Sequence, residues 1–153
     1  MKIEITNQKP QIAVAIKKTK INMSNIANDI DEMSQKLISF LEEHNTQMFG
    51  APYLAYMNAN EDFSQFDIEL GFPVEKPLPV SGEIYMSQTY EGKAVVSLYK
   101  GPYEELESSY MALMNYIKEN SLESTGVYYE YYLNDPAETP ESELLTEIIF
   151  PIK

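Results

Sequence analysis

The chain has 153 residues, enough for one domain that buries its own core, and no cysteine, which excludes disulfides, thiolate metal sites and cysteine nucleophiles. Eleven basic residues, all lysine, stand against 24 acidic ones, for a net charge of −13. Such a chain lacks the bidentate arginine contacts that read phosphate and guanine, and its field repels polyanions, so direct nucleic-acid binding is not expected. No apolar run reaches the roughly 20 residues of a membrane span, and Met1–Pro10 lacks the apolar centre of a secretion signal. The expected location is the cytoplasm, without membrane contact.

Met1–Pro10 is mixed and polar. Ile12–Ile21 carries β-branched alternation and reads as a strand. Ser24 is placed to cap a helix whose apolar residues Ile26, Ile30, Met33, Leu37, Phe40 and Leu41 recur at spacings of three and four, ending at Asn45 or Gly50. Tyr53–Met57 and Phe66–Val74 follow as strands around a polar turn, and Pro73, Pro77 and Pro79 mark a connector. Glu83–Gln88 and Lys93–Lys100 read as a hairpin around Glu91-Gly92. Gly101-Pro102 opens a second helix with the stripe Tyr103, Leu106, Tyr110, Leu113, Met114 and Ile117. Val127–Leu133 and Leu144–Ile152 close the chain as strands, joined by the acidic loop 134–142.

The two halves repeat weakly. Glu69-Leu70-Gly71-Phe72-Pro73-Val74 lies over Glu147-Ile148-Ile149-Phe150-Pro151-Ile152, Gly50, Tyr53 and Tyr56 over Gly126, Tyr129 and Tyr132, and Ala13-Val14 over Ala94-Val95. Three matches in one order indicate a duplicated β-α-β-β unit, with a strand added between the copies. Short links between strands favour antiparallel pairing, so the expected class is α+β. The copies are expected to be related by a pseudo-twofold axis, with two helices on one face of an antiparallel sheet and a central groove of the kind that often binds ligands.

Glu130 interrupts the tyrosine run Tyr128–Tyr132. A carboxylate on an aromatic face needs a partner if it is buried and costs nothing if the face is exposed, and the residues alone leave both readings open. His44, the only histidine, lies at the end of the first helix and reads as packing. Glu69 and Glu147 precede the two Phe-Pro ends and read as serving the repeat structurally. One histidine and scattered carboxylates make no metal spacing, the acidic loop lacks the pattern of a calcium loop, and six glycines form no phosphate loop. Neither a metal nor a cofactor is expected.

Lys100-Gly101-Pro102-Tyr103-Glu104-Glu105-Leu106, Tyr116-Ile117, Gly126, Glu130-Tyr131-Tyr132-Leu133-Asn134-Asp135-Pro136 and Thr146-Glu147-Ile148-Ile149-Phe150-Pro151-Ile152 resemble the GyrI-like family, the effector-binding domain of many AraC-type and multidrug-sensing bacterial regulators. The resemblance is strong over Lys93–Lys153 and extends to Ile3–Val74, so residues 1–153 are expected to form one such domain with half-repeats 1–75 and 82–153. It leaves no room for a helix-turn-helix in this chain. It implies an aromatic pocket around one buried glutamate that pairs with lipophilic cations, and its Glu-x-Tyr motif falls on Glu130 and Tyr132. Tyr53, Tyr56, Tyr85 and Tyr132 are the expected lining, since tyrosine faces attract cations. Capture of a lipophilic, cationic small molecule is the preferred function. The alternative is hydrolysis of strained-ring electrophiles, as in some free-standing members, with Glu130 activating water and Tyr132 donating a proton. A protein partner recognised through the acidic surface rests on net charge alone.

Overall fold

The computed structural model describes residues 2–153. Among them, eight strands and two helices run in the order β1 (Ile3–Gln8), β2 (Ile12–Asn22), α1 (Ile26–Glu43), β3 (Tyr53–Met57), β4 (Gln65–Pro73), β5 (Tyr85–Gln88), β6 (Gly92–Lys100), α2 (Glu107–Glu119), β7 (Tyr128–Tyr132) and β8 (Leu145–Pro151). The strands pair antiparallel, and the class is α+β.

The chain divides into two compact units, Pro10–Thr89 on one side and Met1–Lys9 with Tyr90–Lys153 on the other. In the first, the strand order is β3-β4-β2-β5. The α1 stripe buries Met33, Leu37, Phe40 and Leu41, and the helix packs on β2 and β4. Lys18 on β2 reaches Asp29 and Glu32 on α1 at 3.5 and 3.0 Å, a second tie between strand and helix. The helix starts differently from expectation. Asn22, not Ser24, is the capping side chain: it accepts the Ser24 N–H at a short 3-10 turn, Met23–Asn25, that feeds into α1. The helix ends at Glu43, before Asn45 turns the backbone left-handed at φ +50°.

In the second unit the order is β1-β6-β8-β7. Leu106, Leu113 and Ile117 pack against Val95, Ile148, Phe150 and Ile152, so the helix-facing residues of β6 and β8 form its core.

The two units share one register. Ala13 pairs with Pro73 and Lys17 with Glu69, as Ala94 pairs with Pro151 and Leu98 with Glu147. Tyr53 faces Gly71 across β3 and β4 as Tyr129 faces Ile149 across β7 and β8. The outer strands also correspond: Tyr85 of β5 lies opposite Ala15, and Glu4 of β1 opposite Val96.

The hairpin expected at Glu91-Gly92 is corrected here, because β5 pairs with β2 while β6 lies between β1 and β8. Thr89 fastens β5 to the start of β2, donating its N–H to the Gln11 carbonyl and accepting the Gln11 N–H on its hydroxyl at 2.8 Å. The edge beside β6 is taken by β1, a strand absent from the sequence reading. Each unit therefore completes its sheet with a strand that precedes the other half in the chain.

Candidate functional site

Glu130 stands on the face of β7 that looks toward α2, since it pairs with Ile148 of the core. It is 4% exposed. Tyr132 donates to its Oε1 at 2.7 Å, and Tyr110 of α2 donates to its Oε2. A buried carboxylate met by two phenols has a donor on each oxygen, and here the Tyr110 bond also ties α2 to β7. Tyr103 lies edge-on to Tyr132 with ring centroids 5.6 Å apart, and burial, then the Glu130 and Asp135 charges, pushes its phenol up. Phe150 closes the cluster against Tyr110 and Tyr128, at 5.5 and 4.5 Å. Thr146, the cross-strand neighbour of Tyr132, is fully buried, and its hydroxyl has no hydrogen-bond partner among the described residues.

Tyr53 and Tyr85 gather on a different glutamate. Tyr53 donates to Glu69 Oε2 at 2.7 Å, Ser87 donates to the same oxygen at 3.0 Å, and Tyr85 donates to Oε1. Burial first, then Glu69, drives the Tyr85 phenol well above its ordinary range. All four residues stand on the face of the sheet away from α1, because their strand neighbours Leu70 and Phe72 pair with core residues Ile16 and Val14. Gly71 makes the arrangement possible. A Cβ there would lie 2.3 Å from the Tyr53 ring, so the ring occupies the space a side chain would need. Tyr56 does not join them: it is 9% exposed and packs edge-on against Phe66 at 5.4 Å.

Glu147 is the counterpart of Glu69, and its surroundings differ at each point. Leu98, 53% exposed, replaces Lys17 opposite it, and Tyr131 replaces Ala55 on the other side. Ile149 stands where Gly71 stands, and its Cβ closes the space over the strand. Tyr129 stacks beside Tyr131 at 6.2 Å. Glu4 replaces Tyr85 on the outer strand. Glu147 is half-buried with no hydrogen-bond or ionic partner among the described residues, and burial pushes its carboxyl above the ordinary range. An uncompensated carboxylate beside tyrosine rings and an exposed leucine is an arrangement that attracts an organic cation.

The five residues singled out in the sequence thus fall into distinct settings: Glu130 with Tyr132, Tyr53 with Tyr85 on Glu69, and Tyr56 in packing. The role of Glu69 as acceptor of three hydroxyls escaped the sequence reading, as did the lack of a hydrogen-bond partner for Glu147 among the described residues. The signal lay in the repeat alignment itself, in the exchanges Lys17 for Leu98 and Gly71 for Ile149.

These features define a duplicated α+β domain whose sheet faces carry carboxylates among tyrosines. The family described as GyrI-like small molecule binding domain matches residues 1–153, and the chain belongs to that family. No curated protein sequence matches it. Among solved structures, the C-terminal domain of EcmrR is similar with a TM-score of 0.85 at 19% identity, covering 99% of this chain and 97% of that one. In the EcmrR–DNA complex the chain spans 57% of the EcmrR chain, with a TM-score of 0.84. SAV2435 bound to tetraphenylphosphonium is similar with a TM-score of 0.67 at 15% identity, covering 100% and 94%. A hydrolase from Listeria innocua reaches 0.70 at 11% identity, covering 99% and 92%. No helix among the described residues is long and apolar enough to cross a membrane.

Proposed function

We propose that this small-molecule-binding domain takes lipophilic cations and that Glu147 supplies their counter-charge. One observation carries the reading: of two glutamates in the same register, Glu69 receives three hydroxyls and lies opposite Lys17, while Glu147 has neither and lies opposite an exposed leucine. A cation on Glu147 would complete the charge that the protein leaves open, and Tyr131 and Leu98 would contact its apolar part. The tetraphenylphosphonium complex of SAV2435 is consistent with such a ligand. The Glu130–Tyr132 pair is the alternative seat for the charge. A small molecule, rather than nucleic acid or a membrane, is the partner that the all-lysine, strongly acidic composition suits.

The test is calorimetric titration of tetraphenylphosphonium and of neutral triphenylphosphine oxide into wild type, Glu147→Gln and Glu130→Gln. Glu147→Gln should weaken the cation about tenfold, some 1.4 kcal/mol, and leave the neutral compound unchanged. A selective loss in Glu130→Gln alone would move the counter-charge to the buried pair, and equal loss of both compounds would end the electrostatic reading. A second reading, hydrolysis, rests on the 2.7 Å hydrogen bond that pairs a carboxylate with a phenol at Glu130 and Tyr132. Turnover of an epoxide that vanishes in Glu130→Gln would establish it.

A further inference from the structure

We infer that Glu4 is a second carboxylate of the Glu147 site and makes that site selective for ligands with two cationic centres, an inference that rests on the reading of Glu147 as counter-charge. The internal repeat shows how far a side chain at this register reaches. Tyr85, opposite Ala15 on the outer strand, extends across β2 and donates its hydroxyl to Glu69 on β4. Glu4 occupies the same register, opposite Val96 on β1, and β6 separates it from Glu147 on β8. Cross-strand partners share a face, so Glu4, Val96, Leu98, Ile149 and Glu147 lie on the sheet face away from α2. Two strand spacings and two residues of rise put the Cβ atoms of Glu4 and Glu147 about 12 Å apart.

The exchange of Tyr85 for Glu4 changes what the outer strand offers. A phenol donates a hydrogen bond to the glutamate and satisfies it from within, whereas an ionised carboxylate only accepts. Two acceptors then flank an apolar strip made by Val96 and Leu98. Lys2 meets Glu4 at 2.9 Å, but both side chains are largely exposed, and such a pair gives way readily to a bound cation. A ligand with two positive centres joined by an apolar spacer matches carboxylate, strip and carboxylate together. A singly charged ligand of the same length reaches only Glu147.

The probes are hexamethonium and hexyltrimethylammonium, titrated at low salt into the full chain as wild type, Glu4→Gln, Glu147→Gln and Glu91→Gln, the last being an exposed acidic control. Wild type should bind hexamethonium about three- to fivefold more tightly than the monocation, the range for one added exposed charge contact. Glu4→Gln should erase that preference while leaving the monocation unchanged, Glu91→Gln should keep it, and Glu147→Gln should weaken both probes. Retention of the dication preference in Glu4→Gln, or its loss in Glu91→Gln, overturns the role of Glu4 while leaving Glu147 standing. Unchanged binding of both probes in Glu147→Gln overturns the reading of that site itself.

Discussion

The phenol ring of Tyr53 lies where the Cβ of any residue other than glycine at position 71 would be, 2.3 Å from that point, and from there its hydroxyl reaches Glu69. The relationship makes a glycine in a β-strand interior part of a charge arrangement. It also explains why the repeat is asymmetric: Ile149 carries the side chain that Gly71 lacks, so Tyr129 cannot take the pose of Tyr53, and Glu147 has no hydrogen-bond partner among the described residues.

Gly71→Ala should therefore displace Tyr53 and destabilise the protein by about 1–3 kcal/mol, as overpacking does. In a Tyr53→Ala background the same substitution should cost much less. Denaturant unfolding of the two single variants and the double variant measures this coupling, and additive losses would mean that ring and strand do not compete for the space.

Leu37 is fully buried on the α1 stripe. Leu37→Ala should lower stability by roughly 2–5 kcal/mol, the range for a large-to-small change in a packed core. Urea midpoints compared with those of an exposed-face control, Gln35→Ala, provide the check.

Tyr110→Phe removes a donor from a carboxylate that is almost fully buried. The expected loss is about 1–3 kcal/mol, the cost of leaving a buried acceptor short of a partner. Because Tyr110 belongs to α2, amide exchange in Glu107–Glu119 should quicken together with the fall in stability. Unaltered exchange there would detach Tyr110 from the docking of the helix.

Thr146→Val exchanges a buried hydroxyl without a partner among the described residues for a methyl of the same shape. Stability should hold or rise by about 1 kcal/mol, since the desolvation of that hydroxyl no longer counts against folding. Thermal unfolding of the pair reads the sign directly, and a clear loss would show that the hydroxyl is satisfied in solution.

Burial raises the Glu147 carboxyl, with consequences of opposite sign for folding and for binding. The folded state holds this proton more tightly than the unfolded state does. As pH rises through and just above the ordinary carboxylate range, Glu147 therefore takes stability away, and the full penalty is present once the folded group has ionised. A cation prefers the ionised group, so its affinity should rise over the same window, with proton release on binding. Tetraphenylphosphonium titrations in buffers of different ionisation enthalpy measure that release, and in Glu147→Gln this contribution should disappear.

Much of the architecture was legible without coordinates. Apolar spacing marked both helices because each needs a stripe against its sheet, as Met33, Leu37 and Leu41 and then Leu106, Leu113 and Ile117 provide. The Phe-Pro ends aligned the two units because Pro73 and Pro151 hold the same place in the ladder. Strand β1 was harder to read: Ile3 and Ile5 alternate with polar residues, and its pairing partner lies far along the chain. The assumed hairpin failed for a related reason, since a turn signal reports local geometry, whereas the choice between β2 and β6 as the neighbour of β5 is made by long-range ladders.

The residue types of the site were present in the sequence, whereas the residues alone left the burial of Glu130 open and only the family resemblance implied it. The assignment of each tyrosine to a glutamate was decided in three dimensions. Side chains alternate faces along a strand, so Glu130 and its neighbour Tyr131 look in opposite directions, and Tyr53 finds its acceptor two positions along from its cross-strand partner. A motif in one strand records which groups are available. Only the register between strands, and the space left by a missing Cβ at Gly71, decides which carboxylate is satisfied from within and which stays open.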